Sequence, residues 1–356
     1  MNSRERALAT IAREPVDRPA TWMGEPTPAA LEKMLSHWKL ADEAALRAAL
    51  DDDVHCFNVP YESPAGNHIA AAFDFSEKGH AAYDSQERTL TASGYFEDAT
   101  DPSLVESFPW PDPERYIDRE ALTRRVRSIP SDRARLALLW SAHFQDSLAA
   151  FGMESALATM LLAPEMYRAV LQRITGFYLR ANEIVLETTQ GELDLVLIGN
   201  DFGSQRGLMV APEQLRAHVF DGTRALVEQA HAYGVKVVHH SCGSIYEIIP
   251  DLIELGADAI HPIQALAANM EAEKLRREFG DRISFVGGVD VQDLMVHGTP
   301  DDVAQRVFEL VDLFPTGLVL SPSHEALLPD VPVENVQALF DAVHRSGAVP
   351  GARRGG

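Results

Sequence analysis

The chain has 356 residues, 46% of them hydrophobic and 24% charged, which is the composition of a folded globular protein rather than a disordered or membrane-spanning one. Its 53 acidic residues outnumber 31 basic ones for a net charge of −22, and such a surface repels phosphate backbones and anionic lipid, arguing against nucleic-acid or membrane partners. Two distant cysteines, Cys56 and Cys242, fit a reducing compartment, and the charged opening MNSRERALATIAREPVDRP lacks a signal-peptide core, so a cytoplasmic location is expected.

Ser3–Arg13 reads as a short helix stopped by Glu14-Pro15, because the residue before proline is pushed out of the helical region. A short first strand is expected over Arg18–Met23, helical patterning over Pro28–Leu50 ending at the acidic run Asp51-Asp52-Asp53, and a second strand over Val54–Val59. Cys56 sits inside that strand as a buried, inert thiol. Between Pro60 and Pro113 the pattern changes. Residues 81–98 alternate as in a hairpin, and Trp110-Pro111-Asp112-Pro113 closes an irregular connection, so 60–113 reads as an insertion beside a barrel mouth.

From Leu136 on, strand and helix signals alternate. Leu136–Trp140 is a buried strand, helices follow through Leu186, and Leu193–Ile198 leads into Gly199-Asn200-Asp201. Pro212 opens a helix with Leu215, Val219, Leu226 and Ala230 on one face. Val235–Gly243 reads V-K-V-V-H-H-S-C-G and delivers His239, His240 and Cys242 where a β-branched run breaks into a loop. Ala257–Ile260 leads into His261-Pro262, Ile283–Val286 into Gly287-Gly288-Val289-Asp290, and Gly317–Leu320 into Ser321-Pro322-Ser323-His324-Glu325. Thr299 and Asp302 are placed for a capping box, Pro332–His344 is the last helix, and the tail GARRGG is expected to be disordered.

Strands near residues 20, 55, 138, 195, 237, 259, 285 and 319 with helices between them predict a single α/β domain over 1–350, a (β/α)8 TIM barrel with an N-terminal helical extension and a hairpin-containing insertion. Chemistry in that fold lies at the C-terminal strand ends. Imidazole and thiolate together suit zinc and its neighbours, so His240 and Cys242 are candidate ligands; His324 is the first candidate for the third position, then His261, with Asp201 or Glu154 more remote. Asp201, Asp290 and Glu154 are the candidate catalytic carboxylates. Asn200, His239 and His261, with Trp22, Met23, Gln205 and Gln264, are expected to line a small-molecule pocket.

The run HHSCGSIYEIIPDLIELGADAIHPIQ, with FVGGVD and SPSHEALLPDVPVEN downstream, resembles the uroporphyrinogen decarboxylase superfamily along nearly the whole chain. Porphyrin-processing members follow their opening segment with an arginine-rich stretch for the substrate's carboxylates. Here Pro19–Pro26 has no arginine and carries Glu25, which repels a polyanion. The other branch is similar to corrinoid-dependent methyltransferases, whose zinc is held by a His-x-Cys pair and a later cysteine. His240-Ser241-Cys242 matches the pair, and His324 stands where the later cysteine would fall.

The resemblance implies a zinc-dependent methyl transfer between a corrinoid, carried on a partner protein, or a methylated small molecule and a thiol. Zinc would rest on His240, Cys242 and His324, with Asp201 or Asp290 orienting a ligand. One alternative is a metal-free decarboxylase or lyase of a smaller carboxylate, with Asp201 and a histidine handling protons and Arg206 supplying fixed positive charge. Another is a non-catalytic homologue that binds a ligand or a corrinoid protein. The oligomeric state is left open by the sequence.

Overall fold

A computed structural model describes residues 1–76 and 92–347. Nine strands are present among them: β1 (Glu25–Pro26), β2 (Val54–Asn58), β3 (Ala134–Trp140), β4 (Leu195–Gly199), β5 (Lys236–His240), β6 (Ala259–Ile263), β7 (Ser284–Val289), β8 (Leu318–Pro322) and β9 (Ala326–Leu327). Strands β2 to β8 form one parallel sheet in sequence order, as expected when each strand is followed by helical crossover chain. The strands are short apolar runs, and β4, β6, β7 and β8 are buried at every position, the pattern of a sheet covered on both faces.

The sheet closes through residues 20–22. Trp22 N–H donates to Leu320 O at 3.1 Å, Leu320 N–H to Ala20 O at 2.8 Å, and Val54 N–H to Thr21 O at 3.1 Å. The eighth stave is thus a seam between β8 and β2 that carries a single ladder bridge, Thr21 with Leu320. The expected first strand over 18–23 shrinks to this bridge because other acceptors take its donors. Pro19 has no N–H. Thr21 N–H donates to Asp53 Oδ2 at 2.9 Å, and Met23 N–H to the Asp52 carboxylate at 3.2 Å.

Side chains alternate across each strand. Val54, Leu136, Leu138, Leu195, Leu197, Val238, Ala259, Val286 and Val319 fill the lumen as one cluster, while residues of opposite parity, such as Val196, Val237, Ile260 and Phe285, meet the surrounding helices. Continuing the inward parity to the C-terminal ends brings Asn58, Trp140, His240 and His261 to the top of the lumen. The helical stretch expected over 28–50 divides into Pro28–Trp38 and Glu43–Ala49, because Lys39 turns left-handed (φ 55°) and Asp42 caps the second helix through Ala45 N–H. The capping box of Thr299 with Asp302 is formed.

In the described parts of 60–113, Phe73, Phe75, Phe96, Phe108 and Trp110 form an aromatic cluster against the long helix Pro164–Thr189, with Phe73 and Phe177 centroids 4.8 Å apart. The hairpin expected over 81–98 lies mostly outside the described residues; 92–98 is irregular and ends in a turn. The tail 351–356 lies outside them as well. Among the described residues no helix is long and apolar enough to cross a membrane.

At the opposite, N-terminal end of the barrel, Asp51, Asp52 and Asp53 are the centre of an ion cluster. Arg6 and Arg18 reach Asp53 at 2.7 and 2.5 Å, Arg47 reaches Asp52 at 2.7 Å, and Arg133 reaches Asp51 at 2.7 Å. His55, 6% exposed, lies beside it. Burial, then the charges of Arg47 and Arg133, hold its pKa down to about 4 from an ordinary 6.5. The unfolded chain therefore takes up this proton on falling through pH 6.5 and the folded one only near 4, so the contribution of His55 is fully present above 6.5 and is lost between those values. Urea titrations are expected to show wild type losing roughly 2–3 kcal/mol more than His55→Gln across that window. Equal losses in the two proteins would remove His55 from the acid response.

Candidate metal centre

His240 is the last residue of β5 and faces the lumen, 4% exposed. The strand beside it must yield space: a Cβ at Gly199 would stand 2.1 Å from His240 O. The chain then turns, with Ser241 N–H bonded to His261 O at 2.8 Å, and presents Cys242. Across the mouth, the loop after β8 brings His324 and Glu325. That loop is pinned by the β1–β9 pairing, where Glu25 N–H donates to Glu325 O at 2.6 Å. The pairing needs Gly24, whose φ is +82° and whose Cβ would lie 2.4 Å from Glu325 O.

Three trios bring one donor atom from each member within 4.8 Å of the others: Asp201, His240 and Cys242; His240, His261 and Glu325; and Cys242, His324 and Glu325. His240 and His324 fall in different trios: His240 shares one with Cys242 and another with Glu325, and His324 shares its single trio with both. His240 Nε2 is 3.3 Å from Asp201 Oδ1 and 3.5 Å from Cys242 Sγ, and its Nδ1 is 2.8 Å from His261 Nδ1. Glu325 Oε2 lies 3.7 Å from His240 Nδ1 and 3.4 Å from His324 Nδ1. Despite these neighbours, Glu325 Oε2 and His261 Nε2 are buried without a hydrogen bond among the described residues. A buried acceptor left in that state is costly unless something else satisfies it.

The electrostatics are those of a cation site holding protons. Burial opposes charge on His240, yet Glu325 and Asp201 raise its pKa well above the ordinary value. Burial would raise Asp201, but the hydrogen bond and charge of His240, with Cys242 N–H, bring it down to about 2. Burial would likewise raise Cys242, and bonds from His240 and His324 pull it down instead. His324 is raised by its bond to Cys242. His261 is held well below its ordinary value by burial, then by His240 and His324, and stays a neutral imidazole. Two imidazoles whose proton affinity is raised by carboxylates and a thiol mark where a divalent cation can take the place of protons. Imidazole, thiolate and carboxylate together form a donor set suited to zinc, so these residues fit that metal.

Asp201 supports the cluster from the loop after β4. Its Oδ1 accepts Cys242 N–H at 2.8 Å and its Oδ2 accepts Gln145 Nε2–H at 3.2 Å. Trp22 reaches the site edge-on to His261, with centroids 5.0 Å apart. Met23 is buried at the seam, with its N–H on Asp52. Asn200 is an internal strut whose Oδ1 accepts Phe144 N–H at 2.7 Å, and Gln264 Oε1 accepts Gly243 N–H at 2.6 Å. Asp290 Oδ2 caps the turn after β7 through the N–H groups of Asp293 and Leu294.

Besides Met23, Asn200 and Asp290, whose contacts lie elsewhere, His239, Glu154 and Gln205 are not brought to the cluster. His239 has the opposite parity to His240, so it points out of the lumen, fully buried against Phe202 at 5.8 Å. Glu154 is exposed in the first turn of the helix Met153–Leu162, and Gln205 is exposed in the loop after β4. Sequence reasoning leaves Glu325 out of the ligand set and places Trp140 in a strand but not in the site. Trp140 and Ser141 are consecutive left-handed residues (φ 57° and 55°) at a register shift in β3, and this geometry carries the Trp140 ring edge-on to His240 at 5.5 Å. Strain of that kind collects at functional sites, and the inward parity of β3 is the signal that would have found it.

Comparison with known proteins matches the uroporphyrinogen decarboxylase (URO-D) family model to residues 147–346, more than half of the chain. The chain belongs to the uroporphyrinogen decarboxylase family. The matched region holds every member of the three trios. Among curated proteins, the chain is similar to a uroporphyrinogen decarboxylase of Chlorobium phaeobacteroides, 24% identical over 189 residues, covering 52% of this chain and 50% of that one. A uroporphyrinogen decarboxylase of Pseudoalteromonas translucida is 33% identical over 95 residues, 26% of this chain and 25% of that one. The matched stretches thus span half or less of these relatives. Among solved structures, a methyltransferase from Methanosarcina mazei superposes over 97% of this chain and 99% of its own with a TM-score of 0.67 at 16% identity, a likeness in fold that agrees with the (β/α)8 barrel of this family member.

Proposed function

We propose that this chain is a zinc-dependent methyltransferase that moves a methyl group between a corrinoid, carried on a partner protein, or a methylated small molecule and a thiol acceptor. The observation that carries the reading is the meeting of His240, Cys242, His324 and Glu325 at the lumen mouth around a buried carboxylate oxygen without a partner. His240, Cys242 and His324 would hold the metal, and Glu325 stands beside all three. Bound there, zinc supplies a Lewis acid that lowers the pKa of an incoming thiol so that it reacts as a thiolate near neutral pH.

The protein's own groups prepare that chemistry. Asp201 fixes the Cys242 loop through its N–H and faces His240 Nε2, setting the ring's orientation. Trp140 packs edge-on to His240 and Trp22 edge-on to His261, apolar rings that limit water beside these donors. In the transfer, a sulfur–carbon bond forms as the donor–methyl bond breaks, the donor keeps that bond's electron pair, and the thiol proton passes to solvent.

The family's decarboxylase activity gives the second reading, favoured by the names of the curated relatives. It needs fixed positive charge for a carboxylated substrate, and Arg206, its sequence candidate, is exposed in the loop after β4. The test is to incubate zinc-loaded protein with methylcobalamin and 2-mercaptoethanol, and separately with uroporphyrinogen. Methylated thiol without porphyrin product is expected; porphyrin product with no thiol methylation would replace this reading with the decarboxylase one.

A further inference from the structure

Beside the metal-ligating groups lies a second polar device. Asn58, the last residue of β2, continues the inward parity of Val54 and so projects at the top of the lumen. It stands between His68 and Glu25. Ala70 N–H donates to His68 Nδ1 at 3.1 Å, so the proton of the neutral ring is on Nε2, which donates to Asn58 Oδ1 at 2.9 Å. Burial lowers the His68 pKa and keeps the ring neutral. With its oxygen engaged, Asn58 turns its Nδ2–H to Glu25 Oε1. Every bond in the chain runs one way, and it ends on an acceptor.

Glu25 is half-buried, and its other oxygen receives no hydrogen bond from a described residue. Burial raises its pKa, Asn58 lowers it, and Glu325, its neighbour across the β1–β9 pair, raises it again. Among the described residues Arg47 is the cation that acts on it, but its guanidinium is 3% exposed and already bound by Glu43, Asp52 and Gly24 O. Deeper in the lumen, the fully buried His261 keeps Nε2 without a partner among the described residues, as does Glu325 Oε2. The rim therefore offers acceptors facing an interior with unfilled hydrogen-bonding capacity.

We propose that Glu25, oriented by Asn58 and His68, is a specificity-determining residue that takes the protonated amine of a small substrate entering the barrel mouth. This rests on the reading of the mouth as a small-molecule methyl-transfer site and names the class of molecule it admits. A carboxylate at the same place would meet the carboxylates of Glu25 and Glu325, while Arg47, the described guanidinium acting on Glu25, is already bound, so the device also disfavours acids. His68 and Asn58 are positioning residues. They act by aiming the carboxylate.

The test uses a matched pair of methoxylated probes, 2-methoxyethylamine and methoxyacetate, which are similar in size and opposite in charge, with binding to the metal-free full chain followed by ligand-observed NMR. The amine is expected to bind wild type and the acid not to bind. Glu25→Gln, which keeps the side-chain length, is expected to weaken the amine about tenfold, the effect of losing a charge-assisted hydrogen bond. His68→Ala is expected to weaken it about threefold with no change in circular dichroism. Binding of methoxyacetate as tight as the amine, no binding of the amine to wild type, or an amine affinity indifferent to Glu25→Gln would each overturn the proposal. The readout needs neither zinc nor turnover, so loss of the methyl-transfer reading with amine selectivity intact would leave this assignment standing.

Discussion

Purified protein is expected to carry close to one zinc per chain, and His240→Ala, Cys242→Ala and His324→Ala are each expected to lose it. The reason is the sharing of donors. No trio holds both histidines, while Cys242 and Glu325 each stand in two of the three trios, so removing Cys242 breaks the set on both sides of the mouth. The fall in zinc affinity should exceed the roughly 10–100-fold that follows loss of an outer-shell partner, and Asp201→Asn should fall within that range because Asp201 holds the Cys242 loop. Glu325→Gln separates two arrangements. Zinc lost along with the alanine variants makes Glu325 a ligand, while zinc retained places it beside the metal as an acceptor for substrate. Elemental analysis of the five variants and wild type decides the matter, and wild type that stays empty after zinc is added would end the metal reading altogether.

The largest effect on stability is expected at the other end of the barrel. Asp53 is fully buried and bonded to Arg6, Arg18 and the backbone and hydroxyl of Thr21. The side chains of Arg6 and Arg18 are only 9% and 8% exposed. Asp53→Ala leaves two buried guanidinium groups without this partner and frees the Thr21 N–H at the seam, so a loss of about 3–5 kcal/mol is expected. Urea denaturation measures it. Arg6 also holds Asp17, at 2.7 Å, so Arg18→Met together with Asp53→Ala should recover part of the loss. A loss below about 1 kcal/mol in Asp53→Ala would put the site among ordinary surface pairs.

The barrel is legible in the sequence because β-branched runs alternate with helical periods from Leu136 onward, and strand ends are where donors gather. The seam is not legible. Asp52 and Asp53 read as the acidic end of a helix, and nothing in their spacing tells that their carboxylates take backbone donors from residues about 30 positions earlier. Within the site, donor type singles out His240 and Cys242 but does not by itself separate them from His239, which packs on Phe202. The period of two would have separated them, since Val238 and His240 face the lumen and His239 cannot. The same count reaches Asn58 and Trp140, which donor type passes over. Glu154 shows the converse case: a carboxylate of suitable chemistry, set on an exposed helical turn by a fold detail that local sequence does not encode.

The seam gives the barrel a weak side and a strong side. Around the ring, β5 stands directly opposite it, while β8 borders it. His240 and Cys242 hang from the far wall, and His324 and Glu325 from the wall next to the join. A cation gripped from both sides would therefore act as a crossbar, tying the wall beside the join to the wall opposite it and making occupancy of the mouth a clamp on the whole hoop.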